Sequence, residues 1–140
     1  GRPDVGPTVE PIDPPERFLV RKLGREFLLN AADIEVLAAS GNYVNLRVHG
    51  RDYPLRSTMQ AISQRVDPQR FVRAHRSYIV NLDHLAEIIL LPGGEAQLVM
   101  RDGLQLPCSR RYREDLRRRA GLSASDASER DSRRQAAGAT

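Results

Sequence analysis

From residue 17 onward, short apolar runs are cut repeatedly by turn-forming residues: Gly24, Ser40-Gly41-Asn42, Gly50-Arg51-Asp52, Pro92-Gly93-Gly94 and Asp102-Gly103. None of the runs between them reaches the length of an ordinary helix, and several are rich in Val, Ile, Leu and Phe. A chain punctuated this way folds into many short strands joined by tight turns, a mainly β domain with two short helices. Strands and helices do not alternate, which argues against a doubly wound sheet, and no internal repeat is visible.

Taken in order, 17–23 and 25–29 read as strands around a turn at Gly24, and 34–39 as a third. Tyr43 to Val48 alternates, with Val44, Leu46 and Val48 on one face and Tyr43, Asn45 and Arg47 on the other. Tyr53-Pro54-Leu55-Arg56 follows, and Pro54, lacking an amide proton, assigns it to a sheet edge. Ser57-Thr58-Met59-Gln60 reads as a capping box with Ser57 at the N-cap. It opens a short helix carrying Met59, Ile62 and Val66, which Asp67-Pro68 closes. Runs at 85–91, 95–100 and 104–106 form a three-strand meander, its last turn the hairpin signal Asp102-Gly103. A second helix starts near Ser109, with Tyr112, Leu116 and Ala120 at four-residue spacing and Gly121 as its C-cap.

The ends differ from this middle. Residues 1–16 hold five prolines and almost nothing apolar, and from Ser123 the chain is small, polar and charged. Both compositions predict disorder, giving a linker at 1–16, a folded domain at 17–121 and a tail at 122–140. The chain starts Gly1-Arg2-Pro3 with no initiator Met, as expected of a piece of a longer protein. Between Arg17 and Leu122 stand 18 Arg or Lys against 11 Asp or Glu, a surplus of seven, whereas the two ends taken together are net acidic, 4 against 7. A folded part more basic than its chain suits nucleic acid, though membranes and acidic proteins also attract such surfaces. The single cysteine, Cys108, allows no internal disulfide and fits a reducing compartment. No apolar run approaches the roughly 20 residues that span a bilayer.

Three places concentrate exposed polar chemistry. Arg110, Arg111 and Arg113 crowd the first turn of the second helix, where the helix dipole makes each cation cost about 0.3–1 kcal/mol. Arg117, Arg118 and Arg119 sit in the last turn, where the dipole favours them. An anion at the N-terminal end would be held by the arginines, the free amides and the Ser109 hydroxyl; the competing account is solvated surface charge. In the second place, Phe71-Val72 and Tyr78-Ile79-Val80 clamp a basic tip, Arg73-Ala74-His75-Arg76-Ser77. There a guanidinium can fork onto guanine while His75 or Ser77 holds phosphate, unless His75 is structural. The third is Asn42-Tyr43, suited to adenine or backbone contacts, although Asn42 after Gly41 reads first as a turn former.

Signals for an enzyme are poor. His49, His75 and His84 lack ligand spacing, Cys108 has no second cysteine for zinc, and phosphate-cradling glycine motifs and serine-hydrolase elbows are missing. Neither a metal nor another cofactor is expected. Cys108 stands just before an arginine-rich helix start that would favour its thiolate, or is simply buried and inert.

Arg73-Ala74-His75-Arg76-Ser77-Tyr78-Ile79-Val80-Asn81 resembles the signature of the LytTR family of bacterial DNA-binding domains. Ile34-Glu35-Val36-Leu37 with Gly41-Asn42-Tyr43-Val44 resembles that family's first recognition region, and Pro107-Cys108-Ser109-Arg110-Arg111-Tyr112 its last. The three stand in the family's order across about residues 17–121. The resemblance implies an elongated multi-sheet β domain whose loops enter successive major-groove segments of double-stranded DNA. It implies base contacts from Tyr43 or Asn42, from Arg76, and from Arg111 or Arg110, with His75, Ser77 and Ser109 on phosphates. It further implies paired direct repeats, DNA bending, a homodimer on DNA, and a cytoplasmic response-regulator output domain following a receiver or membrane segment. The rival expectation is a protein-interaction module whose basic face docks an acidic partner.

Overall fold

The computed structural model describes residues 14–121; the linker expected at 1–16 lies mostly outside them, and the tail expected at 122–140 entirely so. Among these residues ten strands run in order: β1 (Arg17–Lys22), β2 (Arg25–Asn30), β3 (Ile34–Ser40), β4 (Tyr43–Val48), β5 (Arg51–Arg56), β6 (Phe71–His75), β7 (Tyr78–Asn81), β8 (Leu85–Leu90), β9 (Ala96–Met100) and β10 (Gln105–Cys108). Helix α1 (Met59–Ser63) lies between β5 and β6, and α2 covers residues 110–121. Single 3-10 turns at Ala31–Asp33 and Leu82–His84 precede β3 and β8. The fold is mainly β with two short helices, as expected.

The strands form three sheets: the hairpin β1-β2, a five-stranded sheet in the order β5-β4-β3-β7-β6, and the meander β10-β9-β8. Pairing in all three is antiparallel. The five-stranded sheet is the central layer because its two faces bury different partners. On one face Leu37, Val44, Leu46 and Ile79 pack with Phe18, Val20 and Leu29 of the hairpin and Met59 and Ile62 of α1. On the other, Val36, Val72, Ala74 and Val80 pack with Ala96, Leu98, Met100 and Leu106 of the meander and Leu116 of α2. Position in this stack explains each strand's pattern. β3 is covered on both faces, so Ile34 to Leu37 are consecutively buried, whereas β4 alternates because its buried side chains, Val44, Leu46 and Val48, join one cluster alone.

Local chemistry sets the connections. Leu23 (φ 53°) with Gly24 (φ 76°), and His49 (φ 51°) with Gly50 (φ 78°), form two-residue turns in which both residues have positive φ, the geometry that matches strand twist. β5 therefore begins at Arg51, earlier than the expected turn Gly50-Arg51-Asp52 allows. It is an edge strand, as Pro54 requires. The cap of α1 differs from expectation: Thr58, not Ser57, is the N-cap, its Oγ1 accepting from the Ala61 amide at 3.0 Å. The Ser57 hydroxyl instead donates to the Thr58 carbonyl. Gly121 is helical and has no positive φ, so it is not the left-handed cap expected of it. Asn81 is fully buried and satisfied at both ends of its amide: Nδ2 donates to the Ile34 carbonyl at 2.8 Å, and Oδ1 accepts from the Asp83 amide at 2.9 Å. It ties β7 to the start of β3.

A charged bridge joins the layers at the other end of β4 from Tyr43. Arg47 lies 3.2 Å from buried Glu35 and 3.0 Å from Asp102, in the turn between β9 and β10. The contact with Glu35 is close enough for ion pairing but poorly aligned for a hydrogen bond. The second Glu35 oxygen accepts from the His49 amide at 3.1 Å. Asp102's carboxyl is held below its ordinary pKa, first by the Leu104 amide and then by Arg47, against the opposing effect of burial.

Candidate nucleic-acid interface

The three sequence regions meet at one end of the central sheet, brought there by its register. β3 ends and β4 begins there, with Ser40 opposite Tyr43. Tyr78, the first residue of β7, pairs with Ala38 of β3 and with His75 at the end of β6. Backbone hydrogen bonds then join the turns. The Ala39 amide donates to the Ser77 carbonyl at 2.9 Å, and the Ser109 amide to the Ala74 carbonyl at 2.9 Å. The Asn42 turn, the Arg76-Ser77 turn and the start of α2 therefore lie side by side. With strands about 4.8 Å apart, the four steps from β5 to β6 span roughly 19 Å.

At the Asn42 turn, Gly41 (φ 60°) makes the bend and Asn42 is exposed, its carbonyl accepting from the Ser57 amide at 3.3 Å. Tyr43 is a large side chain left 43% exposed.

The basic tip is more tightly built than its composition suggests. Arg73 does not project with Arg76; it turns back and clamps the loop. Its Nε donates to the His75 carbonyl at 2.8 Å and its Nη2 to the Arg76 carbonyl at 2.7 Å, and its guanidinium lies 5.8 Å from the Tyr112 ring centroid. His75 is also held: its Nδ1 accepts from the Ser77 amide at 3.1 Å, and its ring lies 5.5 Å from Tyr78's. Arg76 is exposed, and its guanidinium has no partner among the described residues.

The third region rests on the turn between β8 and β9. Gly94 has φ 96°, and a Cβ there would come within 2.7 Å of Arg110 Cδ, so only glycine gives the Arg110 stem its seat. Arg113 donates to the Glu95 carbonyl at 3.1 Å, which pins the same turn and removes it from the free cations. Arg111 lies 5.5 Å from the Tyr112 ring, on which Arg73 also leans, so Tyr112 couples the second region to the third. Arg110 and Arg111 have no carboxylate partner among the described residues. Cys108 is buried, and burial raises its thiol pKa despite Arg113 nearby, so of the two accounts of this cysteine the inert one holds.

Two residues escaped sequence reasoning. The clamping role of Arg73 has no sequence signal, because a guanidinium folded inward reads like one pointing out. Arg56 did have one: it stands opposite Tyr43 in the β4-β5 register, and pairing the alternating strand with its neighbour would have found it. No cluster of His, Cys, Asp and Glu that could hold a metal occurs among the described residues. No helix among them is long and apolar enough to cross a membrane.

Three stacked antiparallel sheets with partnerless arginines gathered at one end define a class, the basic antiparallel β domains. Within that class the chain belongs to the LytTR family: the LytTr DNA-binding domain matches residues 24–121. The family is one of DNA-binding domains of transcription regulators, not of enzymes. The chain is 37% identical over 100 residues to the Escherichia coli transcriptional regulatory protein BtsR, covering 70% of this chain and 40% of that protein. It is 28% identical over 91 residues to the Bacillus subtilis sensory transduction protein LytT, covering 65% and 38%. The chain thus spans about two fifths of the length of these relatives. The LytTr DNA-binding domain of a Bacillus cereus methyl-accepting/DNA response regulator shares the fold, with a TM-score of 0.71 at 20% identity over 76% of this chain and 98% of that one.

Proposed function

We propose that this domain binds double-stranded DNA sequence-specifically, its turns entering the major groove, as the output module of a bacterial transcription regulator acting in the cytoplasm. One observation carries the proposal: Arg76, Arg110 and Arg111, none with a described carboxylate partner, stand on adjacent turns that backbone hydrogen bonds hold in a row. Guanidinia presented on such turns can fork onto guanine O6 and N7.

In this assignment base edges are read by Tyr43 or Asn42, by Arg76, and by Arg110 or Arg111. His75, Ser77 and Ser109 hold phosphates; the hydroxyls of both serines have no partner among the described residues. The binding unit is 17–121, and two copies occupy paired direct repeats. Selection from random duplexes tests the proposal. Recovery of a defined motif, repeated in tandem, is the expected result. Binding without a motif, abolished equally by any polyanion, would instead support an acidic protein as the partner.

A further inference from the structure

We infer that Arg56 is a further DNA contact, a phosphate anchor on the flank of the binding row beyond Tyr43. The inference rests on the DNA-binding proposal above and extends it to a fourth element, the edge strand β5.

Register carries the argument. Tyr43 and Arg56 are directly opposed on β4 and β5. Opposed residues project from the same face of a sheet, with Cβ atoms about 4.5–5.5 Å apart. That face also bears Asn45 and Arg47, opposite Pro54 and Asp52, while the alternate residues Val44, Leu46 and Leu55 join the core beneath. The Ser57 amide bond to the Asn42 carbonyl fixes the end of β5 against the recognition turn, so Arg56 keeps its place in the row.

Charge supplies the second line. Arg56 is exposed and has no hydrogen-bond or ion-pair partner among the described residues. The acid on its own strand, Asp52, pairs in register with Arg47, toward the other end. The row thus ends in unneutralised guanidinium on both flanks, Arg56 on one and Arg110 and Arg111 on the other. Phosphate is the ligand class this position fits. Arg56 stands on the flank of the row, beyond the turns assigned to base edges, and a phosphate accepts a cation there from many directions.

Arg51 provides an internal control: it is exposed, has no described partner, and starts the same strand about 17 Å away at the opposite end. Affinity for a selected duplex is measured across a salt series for the wild type, Arg56→Gln, Arg56→Lys, Arg51→Gln and Arg76→Ala. Arg56→Gln should weaken binding several-fold for every duplex and lower the slope of log K against log salt by about 0.9, the loss of one phosphate contact. The selected motif should not change, Arg56→Lys should keep the slope, and Arg51→Gln should match the wild type. An unchanged slope and affinity for Arg56→Gln, with Arg76→Ala still impaired, overturns the anchor and leaves the DNA-binding proposal standing. Loss confined to one base pair also overturns it, by making Arg56 a base reader. Wild-type protein that selects no motif defeats the DNA-binding proposal itself.

Discussion

The two ends of α2 carry arginines in equal number and handle them in opposite ways. In the last turn Arg117 pairs with Glu114, Arg118 and Arg119 pair with Asp115, and Arg119 also donates to the Pro68 carbonyl. These cations lie where the helix dipole favours them and are neutralised within three or four residues. In the first turn Arg110 and Arg111 stand against the dipole without a carboxylate, and only Arg113 is tied down. Arginine with a partner in a favourable place serves the fold. Arginine left partnerless in an unfavourable place does nothing for the fold, and under the proposed function it serves DNA instead. Arg47 and Arg76 repeat the contrast within the central sheet, one wedged between Glu35 and Asp102, the other exposed at a turn.

The contrast can be broken most forcefully at Arg47. Arg47→Ala strands the buried Glu35 carboxylate, and should lower stability in urea by about 3 kcal/mol. It should leave the selected DNA motif unchanged; an altered motif at full stability would reverse the assignment of this arginine. The Leu104 amide and this bridge together set an acid limit. The Asp102 pKa is lowered in the folded state, so its contribution is present above the ordinary carboxylate range and is lost as pH falls through the lowered value. Asp102→Asn should therefore flatten the acid limb of the stability curve below about pH 4. An acid limb as steep as the wild type's would show that the Leu104 amide and Arg47 together contribute nothing.

Arg76→Ala comes next and should do the converse. Loss of one base contact corresponds to about 1–3 kcal/mol of binding, with relaxed preference at a single position and unchanged melting. Gel shifts giving wild-type affinity and preference would defeat the assignment. The smallest effect sharpens the contrast within α2. Arg111→Ala should raise stability by up to about 1 kcal/mol, because it removes a cation from the positive end of the dipole, while weakening DNA binding. Arg118→Ala should cost a few tenths of a kcal/mol, about one exposed helix pair, and leave binding alone. Calorimetry and gel shifts on both variants read the two signs directly.

What could be read beforehand followed from how each residue is used. β4 was legible because it is half buried, and the β9-β10 turn because Asp102-Gly103 is suited to it. The three-layer stack was not. Ile34 to Leu37 are buried without alternation, so nothing in that run tells which partner covers which face. Ser57 and Thr58 are adjacent hydroxyls with nearly equal capping power, and only the backbone path chooses between them. Among the candidate contacts, Arg76 and the first turn of α2 stood out by charge out of place. Arg56 was passed over because Pro54 directed attention to the edge and away from what the edge strand faces.

The amide of Ser77 pointing into Nδ1 of His75 commits that imidazole to a single tautomer. Its remaining ring proton must sit on Nε2, so the group can give a hydrogen bond but not receive one there. A phosphate oxygen can accept that proton, whereas an ammonium, which has only hydrogen to give, cannot.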